Sequence, residues 1–428
     1  MTTPLRWTVL ALALPACAGE AAPRVEVQRD TVGDTIIVRT LAGSEWGTPA
    51  HLEPEVRIGV FEGEDHYMLG DVRSIAVAPD GSIYAMDTQV PALRKYGPDG
   101  RYIATLGREG EGPGEYRGPD GGLAVLEDGR VVLRDPRNGR LQVYSADGEP
   151  TATWPIRGNF NTSNPMVVDT AGRVYTQILL DPEASVMDWR IGLVAIDAAT
   201  GEPVDTIAAP VWDYEAPRLV AQRTSDSGTS TSVNSVPFSP SKAWAFSPLG
   251  YMVGGVSSRY TVDQYRSDGS VLRVERVYEP VSVEGGERAD REARTRWSMR
   301  QTQPDWSWNG PAIPDHKPPF RELYVGVEGR IWVLLHQPGE RIPEDEILGE
   351  DPDDPDARPA PRWREPVAFD VFEPDGRYLG MVTAPTGFSV NPTPVFGRDH
   401  VWAVVRDELD VQYVTRFRIA GGAGEIGE

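Results

Sequence analysis

The feature that most constrains this chain is a repeat. Residues 74–106 read SIAVAPDGSIYAMDTQVPALRKYGPDGRYIATL, which divides into four short alternating runs: Ser74–Ala78, Ser82–Met86, Ala92–Tyr96 and Tyr102–Leu106. Asp80-Gly81 separates the first two runs and Asp99-Gly100 the last two. Asp-Gly between alternating apolar runs signals a hairpin, and a type I′ turn there needs positive φ at both central residues. The unit therefore reads as a four-stranded antiparallel meander. It returns at 121–154, with Asp128-Gly129 and Asp147-Gly148 in the same places, and at 165–207 with Ala171-Gly172 and Thr200-Gly201. Further copies run over 243–277, over 323–335 continued by 367–382, and over 393–405 with 411–419.

Four-stranded units recurring roughly every forty residues, once insertions are removed, are the pattern of a β-propeller. The expected fold is all-β: a six-bladed propeller of four-stranded antiparallel blades. The last unit has only three strands of its own. The strand-rich segment Val25–Val38 is expected to supply the fourth and close the ring, which removes an open sheet edge. A seven-bladed ring would instead need Val56–Phe61 to seed another blade. The glycine-rich stretch 107–117, GREGEGPGEYR, follows a strand as phosphate-binding loops do. It carries Glu109, Glu111, Glu115 and Pro113, with no Lys beside a Ser/Thr, and no helical pattern follows. It reads as the connector from the outer strand of the first unit to the inner strand of the second.

Charge narrows the function classes. A net charge of −22 argues against nucleic acid, whose binding draws on clustered Lys and Arg. The single cysteine, Cys17, excludes an intramolecular disulfide and a cysteine metal cluster. Ahead of it lie a short basic start (Met1–Arg6) and an apolar stretch, Trp7–Leu14, too short to span a bilayer.

Two resemblances follow. Leu14-Pro15-Ala16-Cys17 resembles the lipobox of bacterial lipoproteins, although Pro15 is not the preferred residue there. That implies a signal peptide over 1–16, an acylated Cys17 opening an anchor linker over 17–24, a propeller over 25–420 and a disordered tail over 421–428. An ordinary secretory peptide is the alternative. Three acyl chains on Cys17 would hold the protein on a bacterial envelope membrane, facing the periplasm or the exterior. The runs IAVAPDGSIYAMD…LRKYGPDGRYIATLG (75–107), GxGPGEY (110–116) and LAVLEDGRVVLRDPRNGRLQVYSADG (123–148) resemble the NHL-repeat six-bladed propellers, in particular bacterial six-bladed β-propeller lipoproteins. The resemblance is specific for architecture and implies little about activity, since propellers host binding and catalysis alike.

Meander topology puts the tight turns on one side of the disc. The long insertions 208–241, 278–320 and 336–366 all fall on the other, which makes that side the candidate working face. Thr224–Ser241 reads as a mobile polar tract. Glu284–Gln301 reads as a short helix with Ala289, Ala293 and Trp297 as its apolar stripe. Trp306 and Trp308, with Phe320, suit stacking on a sugar, a peptide or a cation, or else pin their loop to the blades. Arg73, Lys242 and Arg321 fall at inner-strand starts and would make the mouth basic, suiting an anionic small ligand or a carboxylate, unless they pair with neighbours such as Asp71 and Glu322. The acidic cluster Asp351, Asp353, Asp354 and Asp356 lacks EF-hand spacing and reads as solvated.

No Gly-x-Ser-x-Gly or His-Glu-x-x-His motif is present, and the histidines at 51, 66, 316, 336 and 400 stand singly. His336 and His400 end second strands and would need a third ligand to hold zinc. The favoured expectation is a binding scaffold without cofactor or metal, whose long-loop face takes a protein, peptide or glycan. The alternative is a lactonase-like or amidating-lyase-like hydrolase or lyase with Ca²⁺ or Zn²⁺ in the channel.

Overall fold

The computed structural model describes residues 25–184, 188–226, 228–347 and 357–422. Cys17, the acidic cluster 351–356 and most of the expected tail lie outside the described residues. The protein is nearly all β and built of small sheets of propeller type. Three of them are separate four-stranded meanders. The first runs Val72–Val77, Ile83–Asp87, Ala92–Tyr96 and Tyr102–Leu106. The second spans Leu123–Pro155 and the third Val167–Ala208. A six-stranded and an eight-stranded sheet hold the remaining repeats.

The hairpin loops are tight, but not in the expected form. The Gly81 N–H donates to the Ala78 carbonyl (2.9 Å), and only Gly81, at φ 83°, is left-handed in that loop. This is a type I turn with a left-handed glycine after it, not type I′. Asp80 remains right-handed because its carboxylate accepts the Ser82 N–H (2.8 Å), which holds the turn from inside. A second device was not read from the sequence. Asp87, ending IYAMD, accepts the N–H groups of Gly70 (3.0 Å) and Asp71 (3.1 Å). Asp135, ending VVLRD, accepts those of Arg117 (3.1 Å) and Gly118 (3.0 Å). Each buried carboxylate thus ties the incoming connector to its second strand by charge-assisted bonds. GREGEGPGEYR is that connector in the second case. Gly114, at φ 75°, lies where a Cβ would meet the Pro150 ring at 2.8 Å.

Chain closure differs from the expectation. Val25–Val38 does not complete the last unit. Its hairpin, Glu26–Val32 with Thr35–Ala42, joins the edge of the six-stranded sheet, where Thr35–Thr40 pairs in parallel with Val271–Arg276. The strand that completes the last unit is Ala50–Ile58, antiparallel to Gln412–Gly421. Its first two residues also pair in parallel with Val382 and Thr383, so it seams two units into the eight-stranded sheet. Val56–Ile58, weighed as the seed of a further blade, belongs to this strand. The physical reason is burial: Glu26–Val32 is exposed throughout, whereas Ala50, Leu52 and Ile58 sit in cores.

Apolar clusters bridge successive sheets. Leu93 and Leu106 pack with Leu123 and Leu133, and Val132 and Leu141 pack with Met166 and Val174. Tyr175 and Leu193 meet Phe246 and Met252, and Val253 and Val262 meet Phe320 and Val333. Phe369 and Val371 meet Val401 and Ala403. Finally Ile75 and Ile83 meet Val404, Val414 and Ile58, which returns the packing from the chain's end to its first meander. Ile58→Ala is expected to cost about 2–5 kcal/mol in urea unfolding, because it opens a cavity where the two chain ends join. Ile36→Ala, on the appended hairpin and 39% exposed, should cost less than about 1 kcal/mol.

Candidate functional site

The three long insertions assemble into one cap. The 208–241 segment, expected to be a mobile polar tract in its second half, forms a hairpin of Arg218–Ser225 with Gly228–Ser235. Its Leu219, Ala221 and Val236 are buried with Val283, Met299, Trp306 and Ile313. A polar tract orders here because only a few apolar residues need cover once another insertion provides it. The expected helix is Gly285–Arg300, α1, but its buried residues are Glu287 and Met299, while Ala289 and Ala293 are exposed. The helix is anchored through polar groups. The Asp290 carboxylate accepts the Arg362 N–H (3.0 Å), and Arg288 donates to the Ile313 carbonyl.

Its main anchor is a buried ammonium. Lys317 Nζ donates to Glu287 Oε1 (2.7 Å) and the Gln337 carbonyl (2.8 Å), and lies 3.4 Å from Glu365 Oε1. All three side chains are at most 3% exposed. Gly339 permits the approach, since a Cβ there would meet the Glu287 carboxyl at 2.6 Å. Glu365 Oε2 in turn accepts the Gln337 N–H (3.1 Å) and lies 2.9 Å from His336 Nδ1. Burial alone would raise the Glu365 carboxyl. The His336 hydrogen bond, followed by Lys317 and Arg321, outweighs it and holds the group at about 2. Burial lowers His336 despite the attraction of Glu365. A carboxylate facing a neutral imidazole fixes the tautomer: Nδ1 carries the proton, and Nε2 is the lone-pair nitrogen.

This pair lines a cavity of about 550 Å³ between α1 and the rim of the sheets, whose other walls include Phe238, Arg291, Arg294, Arg321 and Arg358. Among the described residues no carboxylate pairs with Arg291, Arg321 or Arg358. Arg294 lies 3.8 Å from Asp290, and burial, then Arg291 and then Arg358 depress its pKa against that attraction. Buried Nε atoms of Arg291 and Arg294 have no hydrogen-bond partner among the described residues. Phe238 forms part of the wall with a φ of 58°, a left-handed conformation costly for a bulky residue. Its ring meets the His336 imidazole edge-on, 5.8 Å between centroids.

The residues singled out in the sequence scatter. Arg321 reaches the cavity. Arg73 is bound to Asp71 (2.8 Å), and Lys242 lies 3.8 Å from Glu215. Trp306 is buried, its indole N–H donating to the Val220 carbonyl (2.8 Å). Trp308 packs edge-on against it and donates to the Pro311 carbonyl (2.8 Å). Sequence reasoning missed Arg291, Arg294, Arg358 and Glu365. The one signal present was the density of arginine along the expected helix, to which no site was assigned. Among the described residues no group of three His, Cys, Asp or Glu side chains is placed to hold a metal ion. No described helix is long and apolar enough to cross a membrane.

No protein-family model matches the chain, and no curated protein sequence matches it. It is similar in chain path to a member of the DUF4221 family from Bacteroides vulgatus, at 10% identity and a TM-score of 0.49, covering 87% of this chain and 99% of that one. It is similar to a candidate exported protein from Bacteroides fragilis, at 10% identity and a TM-score of 0.46, covering 90% and 99%. A gluconolactonase from Xanthomonas campestris follows at 12% identity and a TM-score of 0.39, covering 87% and 98%.

Acid should loosen this site in two steps. Both pKa values are depressed on folding, so each group's contribution is present above its unfolded value and lost as pH falls through the folded one. His336 acts below about 6.5 and Glu365 between about 4.5 and 2. Unfolding free energy is expected to fall by about 3 kcal/mol across the second window, and Glu365→Gln to flatten that slope. Lys317→Met, which strands two buried carboxylates, should cost about 3–5 kcal/mol at pH 7.

Proposed function

We propose that this protein is an extracytoplasmic, lipid-anchored six-bladed β-propeller that binds a carboxylate-bearing ligand, an acidic glycan or peptide, at the cavity on its long-loop face. Four-stranded meanders, the cores that join each sheet to the next, and the strand Ala50–Ile58 support the ring. The lipobox-like run before Cys17 supports the anchor.

One observation carries the ligand class. Arg291, Arg294 and Arg358 crowd together, and Arg321 stands beside His336, around a cavity of about 550 Å³. Like charges crowded in a partly desolvated space repel one another, and an anion relieves that cost while giving the guanidiniums acceptors. The volume suits a one- or two-sugar unit or a short side chain rather than a whole protein surface.

Oligogalacturonate and an acidic peptide, titrated calorimetrically against the mature chain with a neutral glucan as control, test this reading. Binding of either anion and not of the glucan is expected. Arg291→Gln or Arg321→Gln should each weaken it about tenfold or more, the worth of one hydrogen bond between charged groups. Equal affinity for the neutral glucan would refute it. For the anchor, Cys17→Ser should move the protein from the membrane to the soluble fraction, as read by fractionation. An unmoved variant would refute acylation.

A further inference from the structure

We propose that His336 is the general base of a β-elimination in this cavity, acting on a 4-linked hexuronate of an acidic glycan. The inference rests on the anion-binding reading above.

Lys317, Glu287, Glu365 and the Gln337 backbone already clamp the insertions together. The imidazole joins that clamp through Nδ1 alone, which leaves its other nitrogen free of it. Glu365 Oε2 holds Nδ1 at 2.9 Å, and Glu365 is itself fixed by Lys317 and the Gln337 N–H. Phe238, held in its left-handed conformation, closes over one side of the ring. Nε2 has no partner among the described residues, and His336 lines the cavity. A carboxylate-oriented histidine with its basic nitrogen open to a ligand site is the arrangement general bases use. Glu365, Lys317 and Arg321 are the charged groups that act on it, and burial keeps the imidazole neutral at pH 7.

The surrounding cations select the reaction. A hydrogen on the carbon next to a carboxylate is weakly acidic, because its loss loads a second negative charge onto the same group. Guanidiniums on that carboxylate offset the charge. His336 Nε2 takes the C5 proton, the C–H pair becomes the C4=C5 double bond, and the C4–O bond breaks. The leaving oxygen departs as the reducing end of the neighbouring sugar. In a glucuronate, where the C5 hydrogen and O4 share a face, it receives the proton back from Nε2. In a galacturonate, where they lie on opposite faces, it takes a proton from solvent while Nε2 returns its own to solvent. Atoms and electrons balance without an oxidant, a metal or a consumed water. The Thr295 hydroxyl, also in the wall, is committed to the Arg291 carbonyl (2.8 Å) and supplies no nucleophile.

The test uses the mature chain with 4-linked galacturonate and glucuronate oligomers. Ultraviolet absorbance of the new conjugated acid reports turnover, and calorimetry reports binding. The wild type is expected to generate the chromophore. His336→Gln should bind within about threefold of the wild type yet lose turnover about a hundredfold or more, the usual worth of a general base. Phe238→Leu, a milder change beside the imidazole, should keep binding and lower kcat less. Its kcat should also reach its plateau at a different pH, a shift that a merely structural wall residue would not produce. Binding without any chromophore in the wild type overturns the elimination and leaves the anion-binding reading standing. Turnover by His336→Gln at the wild-type rate also overturns it. Absence of binding overturns both.

Discussion

The structure depends on a seam between the two ends of its chain. Ala50–Ile58 pairs along its length with Gln412–Gly421, partners more than 350 positions apart in sequence. Most other pairings are local meanders, each forming within a few dozen residues. Such meanders form cheaply, but alone each leaves two apolar faces exposed. The seam lets the cores close on one another, because Ile58 joins Val404 and Val414 to Ile75 and Ile83. Its loop-closure entropy grows only logarithmically with length, so a single long-range strand suffices to tie a chain of this size.

Given that seam, the cap needs little hydrophobic area. The cluster beneath it holds eight buried side chains, fewer than most of the cores between the sheets. Electrostatics supplies the remainder. A buried lysine flanked by two buried carboxylates is a poor source of net stability, since desolvation offsets most of the attraction. It is a strong source of registry, because a displaced partner leaves an unpaired charge in a dry site. The clamp draws on α1, the loop before Phe320 and the insertion around Gln337, and so fixes three separate chain segments at one point. That fixed point orients His336.

The repeat was legible because it is local. Turn glycines and alternating runs sit within a few residues of the partners they require, whereas the carboxylate that ties the connector 107–117, Asp135, lies further along the chain and was not read. The closing strand was not legible. Val25–Val38 and Ala50–Ile58 both alternate and both suit a sheet edge, and the parallel pairing of Thr35–Thr40 with Val271–Arg276 leaves no local trace. The buried face of α1 was misread for a related reason. Glu287 is inside because Lys317 meets it, and a carboxylate carries no apolar signal of its own. Arg321 was legible from its place at a strand start, whereas Arg291 and Glu365 reach the same cavity from segments whose juxtaposition only the cap creates.

The sign of the cavity runs against that of the molecule. A chain with a net charge of −22 repels anions at long range, yet its cap gathers four arginines around one space. Screening reconciles the two, since the Debye length is about 8 Å at physiological ionic strength. Beyond that distance the acidic surface is felt weakly, and within the cavity the nearest charges decide. Diffuse acidity would then limit nonspecific association with acidic polymers, while a carboxylate that entered would meet the guanidiniums of Arg291, Arg321 and Arg358, which pair with no carboxylate among the described residues. On the proposed reading, affinity would be confined to ligands small or flexible enough to bring an acidic group under the helix. Geometry as well as charge would then set the selectivity, and the cap that would impose it is the same one that the buried lysine holds in place.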